Sequence, residues 1–412
     1  MKVPLFFMEK ESYNEENASR RKNMESTLRR TWAEINLDAL KYNYEKIKTH
    51  IGPNVKFLGV VKADAYGHGS VQVARKLQEL NADYLAVSSI DEAMELRTNG
   101  ISMPILILGH TPQDQVEKLI KNNITQAVTC EAKALEYSEE AVKCGGTLKI
   151  HIKVDTGMSR LGYICEGDYF GHGIEGILNA VNLPGLDAEG IFTHFAVADE
   201  PGDECKNYTD HQFKLFTDVI KNVEDKWQKK FKLKHCANTG ATVLRPDTHL
   251  DMVRPGLLLY GYGEFAKMLD LKPVMSLKTS VSTVKIYPAG TKISYGGIFE
   301  TTKKTRVGVL PYGYADGFLR VLSNKYSVYT EQGMADQLGR ICMDMCMIDL
   351  TDKMNVDVGS EIEIFGEHNP VERMADIAGT IPYELVCAVS KRVPRVYIEN
   401  GETVFKELLL RM

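Results

Sequence analysis

Eight short apolar runs, separated by stretches of helical spacing, organise the first two-thirds of this chain. They are Val55–Lys62, Tyr84–Ser89, Pro104–Gly109, Thr125–Cys130, Leu148–Asp155, Leu186–His194, Leu233–Ala237 and Met252–Tyr260. Strands buried on both faces read this way, nearly continuous in apolar character instead of alternating. Between them, residues such as Val71, Ala74, Leu77 and Leu80, or Ala93 and Leu96 before the stop at Gly100, recur at helical intervals. Eight strands each followed by a helix, over about 230 residues, predict an α/β fold, a (β/α)8 TIM barrel. Leu37, Leu40, Tyr44 and Ile47 mark one further helix ahead of the barrel, with Asn36 or Asp38 available as its N-cap.

From about Lys272 the pattern changes. Leu277, Thr279 and Val281 alternate with polar residues, and strand-like runs follow at Lys292–Tyr295, Arg306–Leu310, Cys342–Asp349 and Glu361–Phe365. Turn signals recur at Pro288-Ala289-Gly290, Gly296-Gly297 and Gln332-Gly333, and helical spacing returns only near Glu372–Ala378. This predicts a C-terminal, mostly β-strand domain. The expected organisation is a charged, loosely ordered arm at 1–30, a barrel domain at 31–270 (with residues near 31–36 available to pair with the β domain) and a β domain at 271–412.

Several function classes drop out on composition. The formal net charge of -5 does not suit a nucleic acid or an acidic membrane surface. The eight cysteines are scattered and form no Cys-x-x-Cys pair, so neither a zinc site nor a disulfide framework is expected, and a reducing, cytoplasmic compartment is. No apolar run reaches the roughly 20 residues that span a bilayer. Val3 to Met8 is too short for a signal-peptide core.

In a barrel of this kind the chemistry sits at the C-terminal ends of the strands. Those ends carry Lys62, His110, Lys153 and Asp155, His194, Asn238-Thr239, and Gly256 beyond Arg254. A lysine closing an apolar strand either snorkels to solvent or is partly desolvated. Desolvation would lower its pKa from the reference ~10.4 and give the neutral amine that Schiff-base chemistry needs. Tyr66 offers a hydroxyl to a phosphate, and Gly67 and Gly69 permit close backbone approach.

The run Lys62-Ala63-Asp64-Ala65-Tyr66-Gly67-His68-Gly69 resembles the pyridoxal 5'-phosphate (PLP) signature of alanine racemases, enzymes with a barrel and a β domain. His151-Ile152-Lys153-Val154-Asp155-Thr156-Gly157-Met158-Ser159-Arg160-Leu161-Gly162 resembles a second block of that family. Phe192-Thr193-His194-Phe195-Ala196, Ala237-Asn238-Thr239 and Met252-Val253-Arg254-Pro255-Gly256 follow in family order. So do Ser294-Tyr295-Gly296, Gly313-Tyr314-Ala315-Asp316-Gly317 and Gly339-Arg340-Ile341-Cys342-Met343-Asp344.

The resemblance implies a PLP-dependent racemisation of L- and D-alanine that supplies D-alanine for peptidoglycan. Two opposed acid/base groups are then needed at Cα. Lys62 would serve the D-enantiomer and Tyr295 the L-enantiomer, with Tyr295 reaching the barrel mouth of a partner subunit in a head-to-tail homodimer. A phenol with a reference pKa of ~10 needs nearby cations to act as a base near neutrality. Arg254 would face the pyridine nitrogen, which a guanidinium cannot protonate, with His194 behind it as an orienting group. Arg160 would support the substrate carboxylate, beside Lys153, a lysine carbamylated in many members. Tyr66, Asn238, Thr239, Gly256 and Leu257 would hold the cofactor. Met343 and Asp344 would flank the substrate from the second subunit, and Asp199, Tyr314, Arg320 and Arg340 would line the approach.

Two positions depart from the family pattern. Thr239 stands where serine is common. Lys391 stands where many members carry a tyrosine that contacts the phosphate and narrows the entrance; a lysine can pair with a phosphate, but as a point charge. A serine or broad-specificity racemase on the same scaffold is therefore the alternative, because a pocket alone rejects an added hydroxyl by only ~10^2.

Overall fold

A computed structural model describes residues 30–408, which fall into two compact units. One takes in Ala39–Lys272; the other comprises the described residues of Met1–Asp38 and Pro273–Met412.

The first strand, β1 (Thr31–Asn36), belongs to the second unit, and α1 (Leu37–Ile51) leads into the first. The first unit then alternates strand and helix. Its strands are β2 (Lys56–Val60), β3 (Tyr84–Val87), β4 (Ile105–Ile107), β5 (Ile124–Val128), β6 (Leu148–Asp155), β7 (Leu186–Phe192), β8 (Leu233–His235) and β9 (Met252–Val253). They pair in parallel in the order β9-β2-β3-β4-β5-β6-β7-β8. Backbone bonds from Asp251 N to Lys234 O (3.1 Å) and from Arg254 N to Ala237 O (3.0 Å) flank the remaining seam, so the barrel is nearly closed. β3, β4 and β5 are buried at every residue, which is why they read as unbroken apolar runs.

The main helices around it are α2 (Ser70–Glu79), α3 (Ile90–Thr98), α4 (Val116–Lys121), α5 (Glu131–Lys143), α6 (Phe170–Asn182), α7 (Asp203–Trp227) and α8 (Thr239–Leu244). α2 packs so closely on β2 that a Cβ on Gly59 would lie 2.6 Å from Leu77 Cδ1. Among the described residues no helix is long and apolar enough to cross a membrane.

The second unit is built on a ten-stranded sheet. Its later strands are β10 (Met275–Ser280), β11 (Thr283–Tyr287), β12 (Thr305–Leu310), β13 (Ser327–Thr330), β14 (Gly333–Leu338), β15 (Cys346–Asp349), β16 (Glu361–Phe365), β17 (Arg395–Glu399) and β18 (Glu402–Glu407). The order is β11-β12-β15-β14-β13-β16-β10-β1-β17-β18. Two helices, α9 (Val371–Ala378) and α10 (Pro382–Cys387), precede β17.

Several expectations are corrected. Residues near 31–36, counted with the barrel domain but left available to pair with the β domain, do pair there: β1 joins β10 and β17, and residues 31–38 lie in the sheet unit. Residues 271–272 lie with the barrel unit; Asn43 donates to Lys272 O (2.7 Å) and accepts from Lys272 N (2.8 Å). The run Met252–Tyr260 is a strand for two residues only. Pro255 lacks the N–H that a ladder needs, and the chain turns into a 3-10 segment at Leu257–Tyr260. Lys292–Tyr295 pairs only at Lys292–Ile293 before a turn at Tyr295–Gly297, and the run from Cys342 becomes strand only at Cys346. The arm expected at 1–30 lies, apart from Arg30, outside the described residues.

Candidate active site

Lys62 sits two residues beyond β2, half-buried, at the start of a helical turn of the wrong hand. Ala63, Asp64, Ala65 and Tyr66 all have φ of 52–55° and ψ of 42–49°. For L-residues this conformation costs about 1–2 kcal/mol each. Neighbouring groups hold it in place. Ala63 N and Ser88 N both donate to the Glu92 carboxylate, at 2.7 and 2.6 Å. Ser70 N donates to Asp64 Oδ1 at 2.8 Å. His68 Nδ1–H donates to the Ala65 and Tyr66 carbonyls, at 2.9 and 3.0 Å, and the His68 ring packs 4.5 Å from that of Tyr260. Gly67 and Gly69 take φ of 79° and 92°, so the backbone itself requires glycine there. Strain of this size, held by so many partners, marks a functional position.

A cluster of cations lies around the barrel core beside Lys62. The buried Arg254 guanidinium donates from Nη1 to His235 Nδ1 (2.9 Å) and from Nη2 to Thr193 O (2.7 Å) and Cys236 O (3.0 Å). His194 Nδ1, the expected neighbour, lies 3.4 Å from Nη2, and His235 is a second and nearer imidazole. Burial pushes the Arg254 pKa down to about 10, which leaves it a cation at neutral pH. Lys153 is buried, and burial followed by the charge of Arg254 holds its amine far below the usual lysine range; Asp155 opposes this and Arg160 adds to it. Burial, then Arg254, Lys153, Arg160 and Lys62, keep His194 neutral. Arg160 is exposed on a loop whose shape Asp155 sets, its carboxylate accepting from Gly157 N (3.0 Å), Ser159 N (3.0 Å) and Arg160 N (3.2 Å).

A cradle adjoins this cluster. A Cβ built on Gly256 would lie 3.2 Å from the Tyr66 hydroxyl and 3.6 Å from Thr239 Oγ1. Two hydroxyls therefore converge on a backbone that leaves space. The Gly256 N–H itself closes a tight turn onto Arg254 O (2.9 Å), so Gly256 contributes room more than a donor. Asn238 caps α8 by accepting from Ala241 N (3.1 Å), and the buried Leu257 opens the next turn. Asp199 is exposed after β7, on a loop pressed against Gly240 of α8, and His110 is exposed past β4.

In the sheet unit, Tyr295 is 69% exposed, ahead of Gly296 (φ 73°) and after Ser294 (φ 66°). Ser294 Oγ donates to Arg340 O at 2.6 Å. Tyr295, Lys285, Lys292, Cys342, Met343 and Asp344 line one cavity of about 690 Å³. Tyr314 and Arg320 are also exposed in this unit. Arg392 fixes the Asp344 loop, with Nε to Asp316 Oδ1 and Nη2 to Asp344 Oδ1, both 2.7 Å. Lys391, beside it, is exposed. Among the described residues no group of three or more His, Cys, Asp or Glu could hold a metal ion.

Known proteins agree with this architecture. The family model described as "Alanine racemase, N-terminal domain" matches residues 35–264, and "Alanine racemase, C-terminal domain" matches 274–397. The chain belongs to the alanine racemase family. It is an enzyme of that family. Alanine racemase 2 of Caldanaerobacter subterraneus subsp. tengcongensis is 43% identical over 91% of this chain and 96% of that protein. Alanine racemase of Clostridium tetani is 44% identical over 92% and 97%. The solved alanine racemase of Clostridium difficile 630 superposes with a TM-score of 0.87 at 40% identity, over 93% of this chain and 99% of that one.

For this alanine racemase family chain, sequence reasoning missed His235, His151, Glu92 and Arg392. His235 stands within the apolar run Leu233–Ala237 and His151 opens the block that contains Lys153, so position alone could have flagged both. Nothing in Ala63-Asp64-Ala65-Tyr66 announces a left-handed turn except the two flanking glycines.

Proposed function

We propose that this enzyme interconverts L- and D-alanine with pyridoxal 5'-phosphate as cofactor. The observation that carries the reading is the strained turn that presents Lys62, whose charge reaches His194 as that of Arg254 does, in the same turn as Tyr66 of the two-hydroxyl cradle. The donor set fits the group. Lys62 would hold it covalently, and the hydroxyls of Tyr66 and Thr239, Asn238 at the head of α8, and the backbone at Gly256 and Leu257 would take its phosphate. Lys391 adds a cation for that phosphate. Arg254 would face the ring nitrogen and leave it unprotonated, because a guanidinium of pKa about 10 keeps its proton at neutral pH. When bound to the amino acid, the cofactor would withdraw electron density from Cα and make its proton removable.

The chain's own groups then move that proton. Tyr295 Oη takes it from the L-enantiomer on one face while Lys62 Nζ returns one on the other; the D-enantiomer reacts in the opposite sense. Lys285 and Lys292 line the same cavity as Tyr295. Tyr295 acts on the barrel of a second copy, in a homodimer, and Met343 and Asp344, which line the same cavity as Tyr295, flank the substrate there with it. Arg160 holds the substrate carboxylate. Lys153, buried and with its amine pushed far below the usual lysine range, is suited to react with carbon dioxide with loss of a proton, and the carbamate would pair with Arg160. His194 supports Arg254 at longer range than His235. All eight cysteines are free, in keeping with a cytoplasmic enzyme, and its D-alanine would serve peptidoglycan synthesis.

The test is racemisation by PLP-loaded protein across small L-amino acids. L-Alanine should be turned over fastest. Equal or faster turnover of L-serine would make the chain a serine or broad-specificity racemase, the reading that Lys391 leaves open.

A further inference from the structure

We infer that Glu189 acts through His151 and His235 to fix the orientation of the Arg254 guanidinium. A guanidinium has donors and no acceptor. Its Nη1 lies 2.9 Å from His235 Nδ1, so Nδ1 accepts and His235 carries its proton on Nε2. His235 Nε2 lies 2.9 Å from His151 Nδ1, so it donates there, and His151 in turn carries its proton on Nε2. That N–H is buried and has no hydrogen-bond partner among the described residues. The acceptor facing it is Glu189 Oε2 at 3.9 Å, which a shift of about 1 Å brings to hydrogen-bond length. Glu189 also accepts from the Tyr84 hydroxyl (3.2 Å), so Thr125 Oγ1, 2.8 Å from Tyr84 Oη, donates to that hydroxyl. The donors from Arg254 onward and those from Thr125 onward thus meet at one carboxylate.

The two rings are built into the barrel. Both are fully buried, and a Cβ on Gly190 would lie 2.8 Å from the His151 ring, so only glycine leaves room for it. Burial, followed for His235 by the charge of Arg254, keeps both rings neutral. A neutral pair has one proton per ring and therefore two directions. The reverse direction would aim a His235 N–H at the guanidinium. Glu189 rewards the direction that Arg254 needs, which makes Glu189 and His151 positioning residues.

The kinetic arm of the test rests on the proposed role of Arg254; the spectroscopic arm does not. Imidazole 15N NMR of the wild-type enzyme should show His151 and His235 both as Nε2–H tautomers at neutral pH. Glu189→Gln, whose amide oxygen still accepts, should keep both. Glu189→Leu should convert His151 to Nδ1–H or a mixture and carry His235 with it. Its kcat should fall about tenfold, the effect of one misplaced hydrogen bond of about 1.4 kcal/mol, with the amino-acid KM little changed. An Nδ1–H tautomer on either ring of the wild type, or unchanged tautomers in Glu189→Leu, would overturn the inference. Changed tautomers with unchanged kcat would overturn the link to Arg254 while leaving racemisation itself standing.

Discussion

Gly256→Ala tests the cradle with a single methyl group. The new Cβ would lie 3.2 Å from the Tyr66 hydroxyl and 3.6 Å from Thr239 Oγ1, so the tyrosine must retreat by a few tenths of an ångström. It has little freedom to do so. Tyr66 is buried, its ring packs 5.2 Å from that of Tyr260, and its backbone is held in the left-handed region. The phosphate should then lose one charge-assisted hydrogen bond, about 1.5–3 kcal/mol, or about 10- to 150-fold in cofactor Kd. The assay is titration of apoprotein with pyridoxal 5'-phosphate and, separately, with pyridoxal. Only the phosphorylated ligand should bind more weakly. An unchanged Kd for pyridoxal phosphate, or an equal loss for both ligands, would refute a phosphate site at Gly256.

Stability should depend on pH through the buried histidines. His151, His194 and His235 are all held below the reference value of 6.5 in the folded enzyme, so below pH 6.5 the unfolded chain binds protons that the folded one refuses. Their contribution is complete above that pH and is lost as pH falls, by up to about 1.4 kcal/mol per pH unit for each. Urea midpoints flat between pH 5 and 6.5 would contradict this. Arg392→Gln leaves Asp316, whose side chain is 2% exposed, without its shortest charged partner. It should destabilise the sheet unit by about 3 kcal/mol and loosen the Asp344 loop, read by denaturation and hydrogen exchange. Mixing Lys62→Ala with Tyr295→Ala protein should restore some racemisation, since one site of a mixed dimer keeps both groups; no recovery after confirmed subunit exchange would count against shared sites.

The barrel was legible because its strands are buried on both faces, so β3 to β5 stand out as apolar runs between helical stretches. The sheet unit was read only in part. β12 and β16 are rich in β-branched and apolar residues, but β14 (Gly333–Leu338) and β18 (Glu402–Glu407) mix polar and exposed positions and gave no pattern. β1 was counted with the barrel and its pairing with the β domain left open, because periodicity reports burial, not which sheet a strand joins. At the site, Lys62 and Arg254 could be named from strand ends and resemblance. The turn that carries Lys62 could not, because a partner distant in sequence, Glu92, helps impose its hand against local preference. The imidazoles behind Arg254 were missed because a buried histidine reads as core until its hydrogen-bond direction is known.

The central claim is that each face of Cα is served by its own group. Exchange of the alanine α-proton in D2O, followed by NMR in the Tyr295→Phe enzyme, tests it directly. Tyr295 is 69% exposed, so the substitution should leave stability within about 0.5 kcal/mol. D-Alanine should still exchange its α-proton through Lys62 without turning into L-alanine, while exchange from L-alanine should fall by at least about 100-fold. Exchange from L-alanine at the wild-type rate would contradict the account.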